Sequence, residues 1–164
     1  MKRREFLVSS ALGVAGIAAR RQPLSATAAE IQTPAATRKI LIAGGNFGEA
    51  FIRYMATLTG KPRPRLCYLP TASADSQSGI ISWYRACAPL NVTPFVQESF
   101  IASTRQTQSW EEVFLSMDGI VCSGGNTLNQ QAIWKAQGID DVLKQAWDRG
   151  IVLGGASAGS LCWF

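Results

Sequence analysis

The stretch from Gly150 to Phe164, G-I-V-L-G-G-A-S-A-G-S-L-C-W-F, has the residue types and spacing for nucleophilic chemistry on a carbonyl. Ile151, Val152 and Leu153 form a short apolar run fit for a buried strand, and Gly154-Gly155-Ala156-Ser157-Ala158-Gly159 turns from it into a helical pattern. The form is G-x-S-x-G. Small residues at 155, 156, 158 and 159 let strand and helix approach closely enough for Ser157 to sit on a sharp turn with its hydroxyl pushed out at the sheet's carboxyl edge. The backbone N–H of Ala158, at the start of the helix, then points at an oxyanion formed on an attacked carbonyl.

A second glycine-rich turn has the same setting. Ser123-Gly124-Gly125-Asn126-Thr127-Leu128 follows the apolar run Gly119-Ile120-Val121-Cys122 and leads into another helical pattern. Two such loops at the carboxyl ends of strands can face each other across one crevice, which would bring Gly124 and Gly125 opposite Ser157. No histidine occurs in the 164 residues, and no S-x-x-K follows Ser157; Lys39, Lys61, Lys135 and Lys144 have no spacing that singles one out as a base.

Together, S-G-G-N-T-L and, about thirty residues later, G-A-S-A-G-S-L-C-W-F resemble the peptidase E group of serine peptidases, which hydrolyse aspartyl dipeptides and are similar to cyanophycinases. The resemblance begins near Arg38, includes L-P-T-A-S at Leu69 to Ser73, and runs to Phe164. It implies an α/β fold like that of class I glutamine amidotransferases, a flavodoxin-like three-layer arrangement. It also implies Ser157 as nucleophile, the Gly124-Gly125 turn and Ala158 as oxyanion-hole backbone, and Asn126 and Thr127 as substrate contacts. The substrate it implies is a short acidic peptide. In that group the histidine and acid of the triad lie downstream of the nucleophile. Only seven residues follow Ser157 here, so residues 38–164 are expected to be the N-terminal part of such a domain, its sheet incomplete at the C-terminus. The alternative is a non-catalytic chain of the same fold that keeps the crevice without the chemistry.

The elements that must position these residues alternate strand and helix. Lys39 to Ala43 is an apolar strand leading into Gly44-Gly45-Asn46-Phe47-Gly48 and a helix to about Leu58. As a dinucleotide fingerprint this is poor, because Ala43 holds the first glycine position and no acid ends the next strand; the turn is expected at the crevice rim. Arg65 to Leu69 is a second strand, ended by Pro70, and a helix is expected from about Gly79 to Ala88. Val92 to Val96 reads as a third strand, and Pro94 within it removes a ladder donor, which argues for a sheet edge. A short helix is expected around Trp110 to Ser116, then a fourth strand at Gly119 to Cys122. Ile139, Val142, Leu143, Ala146 and Trp147 mark the buried face of a helix that Gly150 stops. Alternation of this kind predicts a parallel sheet with helices on both faces and the site at the strands' carboxyl ends.

Charge is unevenly spread. Residues 1–28 hold five basic residues and one acid, so they supply +4 of the net +5 and leave the body near neutral, without the clustered basic surface that nucleic-acid binding needs. This segment reads as a twin-arginine export signal: Arg3-Arg4-Glu5-Phe6-Leu7, a short apolar core from Val8 to Ala19, and Ala26-Thr27-Ala28 as an A-x-A cleavage site. The apolar core is too short for a stable membrane span. The partners expected are therefore a small peptide substrate and the twin-arginine export machinery, and the location periplasmic or secreted. Residues 29–37 read as a linker. Cys67, Cys87, Cys122 and Cys162 form no C-x-x-C or Cys/His cluster, so neither a metal nor another cofactor is expected and the thiols read as buried and free.

Overall fold

A computed structural model describes residues 36–101 and 106–164. The expected leader at 1–28 and most of the expected linker lie outside the described residues. Five strands, β1 (Ile40–Ala43), β2 (Arg65–Leu69), β3 (Thr93–Val96), β4 (Gly119–Cys122) and β5 (Val152–Ala156), form one sheet in the order β1-β5-β4-β2-β3. Every pair is parallel.

Side chains alternate across this sheet, as period 2 requires. Cys67, Leu69, Ile120, Cys122 and Leu153 point into one core, and Leu66, Tyr68, Val121 and Val152 into the other. The first core is covered by α3 (Trp110–Phe114), α4 (Thr127–Gln137) and α5 (Ile139–Asp148), through Phe114, Trp134 and the Ile139/Val142/Leu143/Ala146 face of α5. The second is covered by α1 (Glu49–Thr59) and α2 (Gln77–Cys87), through Ile52, Met55, Trp83 and Cys87. The chain is thus a three-layer α/β fold.

The two faces are filled for a topological reason. From β2 the chain moves outward to the edge strand β3, whereas from β4 it moves the opposite way to β5. Right-handed crossovers in opposite directions put α2 and the α4–α5 pair on opposite faces. Between β2 and β4 the loops leaving the carboxyl ends therefore part, and a crevice opens there.

Several elements differ in extent from the sequence reading. The second helix begins at Gln77 rather than near Gly79, because Ser76 caps it by accepting from the Gly79 amide (3.4 Å). α3 ends at Phe114, and its short length is supported by a capping box between Ser109 and Glu112. The chain between the two glycine-rich turns makes two helices, because Gly138 adopts φ 71° and turns the path between α4 and α5. Pro94 does lie on an edge strand.

Candidate active site

The crevice between the carboxyl ends of β2, β4 and β5 encloses about 500 Å³. Ser157 is the first residue beyond β5 and precedes the short helix α6 (Ala158–Leu161). Its backbone lies at φ 53°, ψ −122°, a conformation that costs a non-glycine residue on the order of 1–3 kcal/mol. The fold holds it there from several sides. Its amide donates to the Ala43 carbonyl (3.1 Å), and its own carbonyl accepts from the Ser160 amide (2.9 Å) and hydroxyl (2.6 Å). Flanking residues are buried while Ser157 itself is exposed, so the hydroxyl projects from the turn.

The glycines around it are required by close approach. A Cβ on Gly155 would stand 2.1 Å from the Gly159 carbonyl oxygen, and one on Gly159 would stand 2.3 Å from the carbonyl oxygen of Cys122. Strand β5 and helix α6 therefore meet backbone to backbone, and α6 rests on the end of β4. Gly125, at φ 142°, lies against the turn after β2: a Cβ there would be 2.0 Å from the Ala72 carbonyl oxygen. Gly124 is the point nearest Ser157, since a Cβ on it would be 3.3 Å from the serine Cβ.

Ser157, Gly124 and Gly125 share the crevice wall. Among the described residues the amides of Gly124, Gly125 and Ala158 donate no hydrogen bond, and the Ser157 hydroxyl makes none. Asn126 and Thr127 are placed differently from the substrate contacts expected of them. The Asn126 side chain accepts from the Asn129 amide (2.9 Å) and caps α4, its own amide donates to the Ala72 carbonyl (2.8 Å), Thr127 begins the helix, and neither lines the crevice.

The wall that sequence reasoning missed comes from α2 and the turn before it. Ser73, Ser76, Ser78 and Ser82 line the crevice together with Gly79, Trp83 and Ala86. Positions 79, 82, 83 and 86 lie on one face of a helix, so a signal was present in the sequence, as Gly79, Ser82 and Ala86 set around Trp83 on the face away from the exposed Tyr84. Tyr68 and Trp83 stack at 5.5 Å beneath this wall, with Phe47 from the first glycine turn set edge-on to both at 5.8 and 6.2 Å. Burial pushes the Tyr68 phenol above its ordinary range, opposed by the neighbouring Ser73 and Ser123 hydroxyls, so it stands as a protonated donor. None of the described residues lining the crevice carries a formal charge. Among the described residues no cluster of three or more His, Cys, Asp or Glu could hold a metal ion, and no helix is long and apolar enough to cross a membrane.

A parallel α/β sheet with a serine at its switch-point crevice is the class defined by fold and site together. Within that class, the chain belongs to peptidase family S51, which its sequence matches over residues 29–164. It is 36% identical over 130 residues to an uncharacterized peptidase, YgaJ, of Bacillus subtilis, an alignment covering 76% of this chain and 55% of that protein. The fold is similar to the crystal structure of a peptidase from an acI-B1 actinobacterium, with TM-score 0.60 and 18% identity over 73% of this chain and 54% of that one. It is similar also to a putative peptidase E protein from Listeria monocytogenes, with TM-score 0.56 and 21% identity over 75% of this chain and 60% of the other. The chain thus spans between 54% and 60% of the length of these relatives.

Proposed function

We propose that Ser157 is the nucleophile of a serine-type peptidase site that acts on short peptides carrying an aspartyl residue. One observation carries the reading: an exposed serine at positive φ shares a crevice of about 500 Å³ with glycine-turn amides that have no other acceptor. The Ser157 Oγ attacks the peptide carbonyl carbon as its proton passes to a base. The carbonyl oxygen becomes an oxyanion that accepts from the amides of Gly125 and Ala158. Collapse of the tetrahedral species breaks the C–N bond, the amine leaves with the proton from the base, and water then hydrolyses the acyl ester.

The aspartyl preference is what the resemblance to peptidase E implies. Among the described lining residues, none of them charged, its carboxylate would be received by the Ser76–Ser78 hydroxyl pair, which has one O–H to spare, and by the positive end of the α2 dipole, an interaction on the order of 1 kcal/mol. The base is the missing part. No histidine is among the 164 residues, no lysine among the described residues lines the crevice, and the Tyr68 phenol is pushed away from the range of a base. Loss of one triad member reduces kcat by roughly 10⁴- to 10⁶-fold, so the 164-residue chain alone is expected to hydrolyse aspartyl dipeptides at background.

Imidazole in solution can stand in for such a base. Once the rate with imidazole alone is subtracted, an activated aspartyl ester should therefore be hydrolysed at a rate that rises with imidazole in the protein and not in Ser157→Ala. Equal rates in both proteins, with ligand still bound, would favour the second reading, a non-catalytic binding domain of the same fold. The lack of any hydrogen-bond partner for the Ser157 hydroxyl among the described residues is the observation that keeps this second reading in play.

A further inference from the structure

Asp75 takes no part in the reaction above, yet it has the least ordinary surroundings of any carboxylate among the described residues. It is 7% exposed, and its Oδ2 accepts from the amides of Ser99 (3.0 Å), Phe100 (2.6 Å) and Ile101 (3.4 Å), while its Oδ1 is buried without a partner. Asp75 and its neighbour Ala74 both lie in the left-handed region, at φ 53° and 55°, so the turn after β2 closes through two consecutive strained residues. That turn is the surface on which the second glycine loop rests. Its Ala72 carbonyl accepts from the Asn126 amide (2.8 Å) and leaves no room for a side chain on Gly125.

We propose that Asp75 is a positioning residue for the Gly124-Gly125 turn, fixing it through the 70–75 turn by an ionised carboxylate that draws in the amides of residues 99–101. The proposal rests on the reading of Gly125 as an oxyanion donor. A second tie to the same segment exists, the Thr71–Ser99 hydroxyl pair at 2.6 Å, but it is neutral. Bonds from amides to a carboxylate are roughly twice as strong as neutral ones, so the charged tie is the one able to hold a strained turn.

Burial raises the Asp75 carboxyl above its ordinary range, Glu98 adds to the rise, and the amides of Phe100, Ile101 and Ser99 oppose it. The titratable groups facing it are Glu98, whose carboxylate is held by Gln77 (3.0 Å), and the Tyr68 phenol; no cation is paired with it among the described residues. A folded-state pKa above the unfolded value means that the group's contribution to stability is full below the unfolded pKa and is lost as pH rises through the folded one. Above its folded pKa the charge therefore weakens the fold while it holds the turn. Stability and site order should respond to Asp75 in opposite senses.

The test uses the full chain and Asp75→Asn, which removes the charge and keeps an acceptor oxygen, with Asp75→Ala as the harsher variant. In Asp75→Asn, Tm at pH 7 should not fall, and the decline in Tm expected of the wild type as pH rises through the folded pKa of Asp75 should flatten. Hydrogen exchange at the Asn126 amide should quicken about tenfold, and the imidazole-dependent, Ser157-dependent kcat should drop about tenfold with KM within about twofold, as displaced oxyanion donors require. A variant that keeps both the wild-type exchange rate and kcat would overturn the proposal. So would one that loses Tm, kcat and KM together, the signature of a merely structural residue. If Ser157 is not a nucleophile, the imidazole-dependent rate in excess of imidazole alone is absent from the wild type as well, and the Asn126 exchange rate alone decides the role of Asp75.

Discussion

At the scale of single residues, the two glycine motifs are set by distances of backbone to backbone. Gly125, Gly155 and Gly159 would each place a Cβ within 2.0 to 2.3 Å of a carbonyl oxygen that belongs to a neighbouring strand, turn or helix and cannot rotate away. Gly125→Ala and Gly155→Ala should each lower unfolding free energy by about 3 kcal/mol or more, while Gly44→Ala, with nothing within 4 Å, should change it by less than about 1 kcal/mol. Urea denaturation of the three variants checks this. Equal effects at Gly44 and Gly155 would show that the close contact between β5 and α6 is absent in solution. The cysteines give a second prediction at this scale. Burial pushes the Cys67 and Cys87 thiols up to about 12 and raises Cys122 well above its ordinary range, and all four cysteines are free and buried. Since all four thiols are shielded by burial, an aromatic disulfide reagent at pH 8 should label none of them before unfolding and all four after it.

At the scale of elements, α4 is held by polar as well as apolar contacts. The Trp134 indole donates to the Thr71 hydroxyl (3.1 Å), which also pairs with Ser99, so one buried hydroxyl joins the first turn after β2 to a helix and to the segment after β3. Thr71→Val keeps the shape and leaves two buried groups unpaired, which should cost about 2 kcal/mol in thermal unfolding; a neutral result would mean that water satisfies them. The strands, their parallel alignment, the edge position of the third strand and the turn at Ser157 were legible because apolar runs alternating with helices, Pro94 and the small-residue pattern around 154–159 are local signals; the strand order was not. The break at Gly138 was not, since periodicity alone carries the Ile139–Trp147 face and is silent on where the preceding helix stops. Nor was the role of Asn126 as a cap, because the same residue type after a glycine pair serves a helix N-terminus and a ligand equally well. Asp75 escaped notice for a different reason: its partners are main-chain amides more than twenty residues away, which no side-chain pattern records.

At the scale of the whole molecule, the proposed leader would link folding to destination. The described residues leave Ile42, Leu161 and Phe164 more than half exposed at and beyond the edge formed by β1 and α6, yet bury a hydrophobic core on each face of the sheet. A twin-arginine leader, proposed from Arg3-Arg4-Glu5-Phe6-Leu7, the short core after it and Ala26-Thr27-Ala28, would carry this chain across a membrane already folded. Arg20 and Arg21, directly after the apolar core, disfavour the route that threads unfolded chains. Two consequences separate the leader from the fold. Replacing Arg3 and Arg4 by Lys keeps the charge and should leave the unprocessed precursor in the cytoplasm with its serine crevice intact. Gly155→Val leaves the leader untouched but drives a branched side chain into the Gly159 carbonyl, so a precursor that cannot fold should also be retained. Cell fractionation with immunoblotting reads both. Normal export of the double Lys variant would refute the leader assignment, and normal export of Gly155→Val beside a retained double Lys variant would show that export does not depend on closing the turn at Ser157.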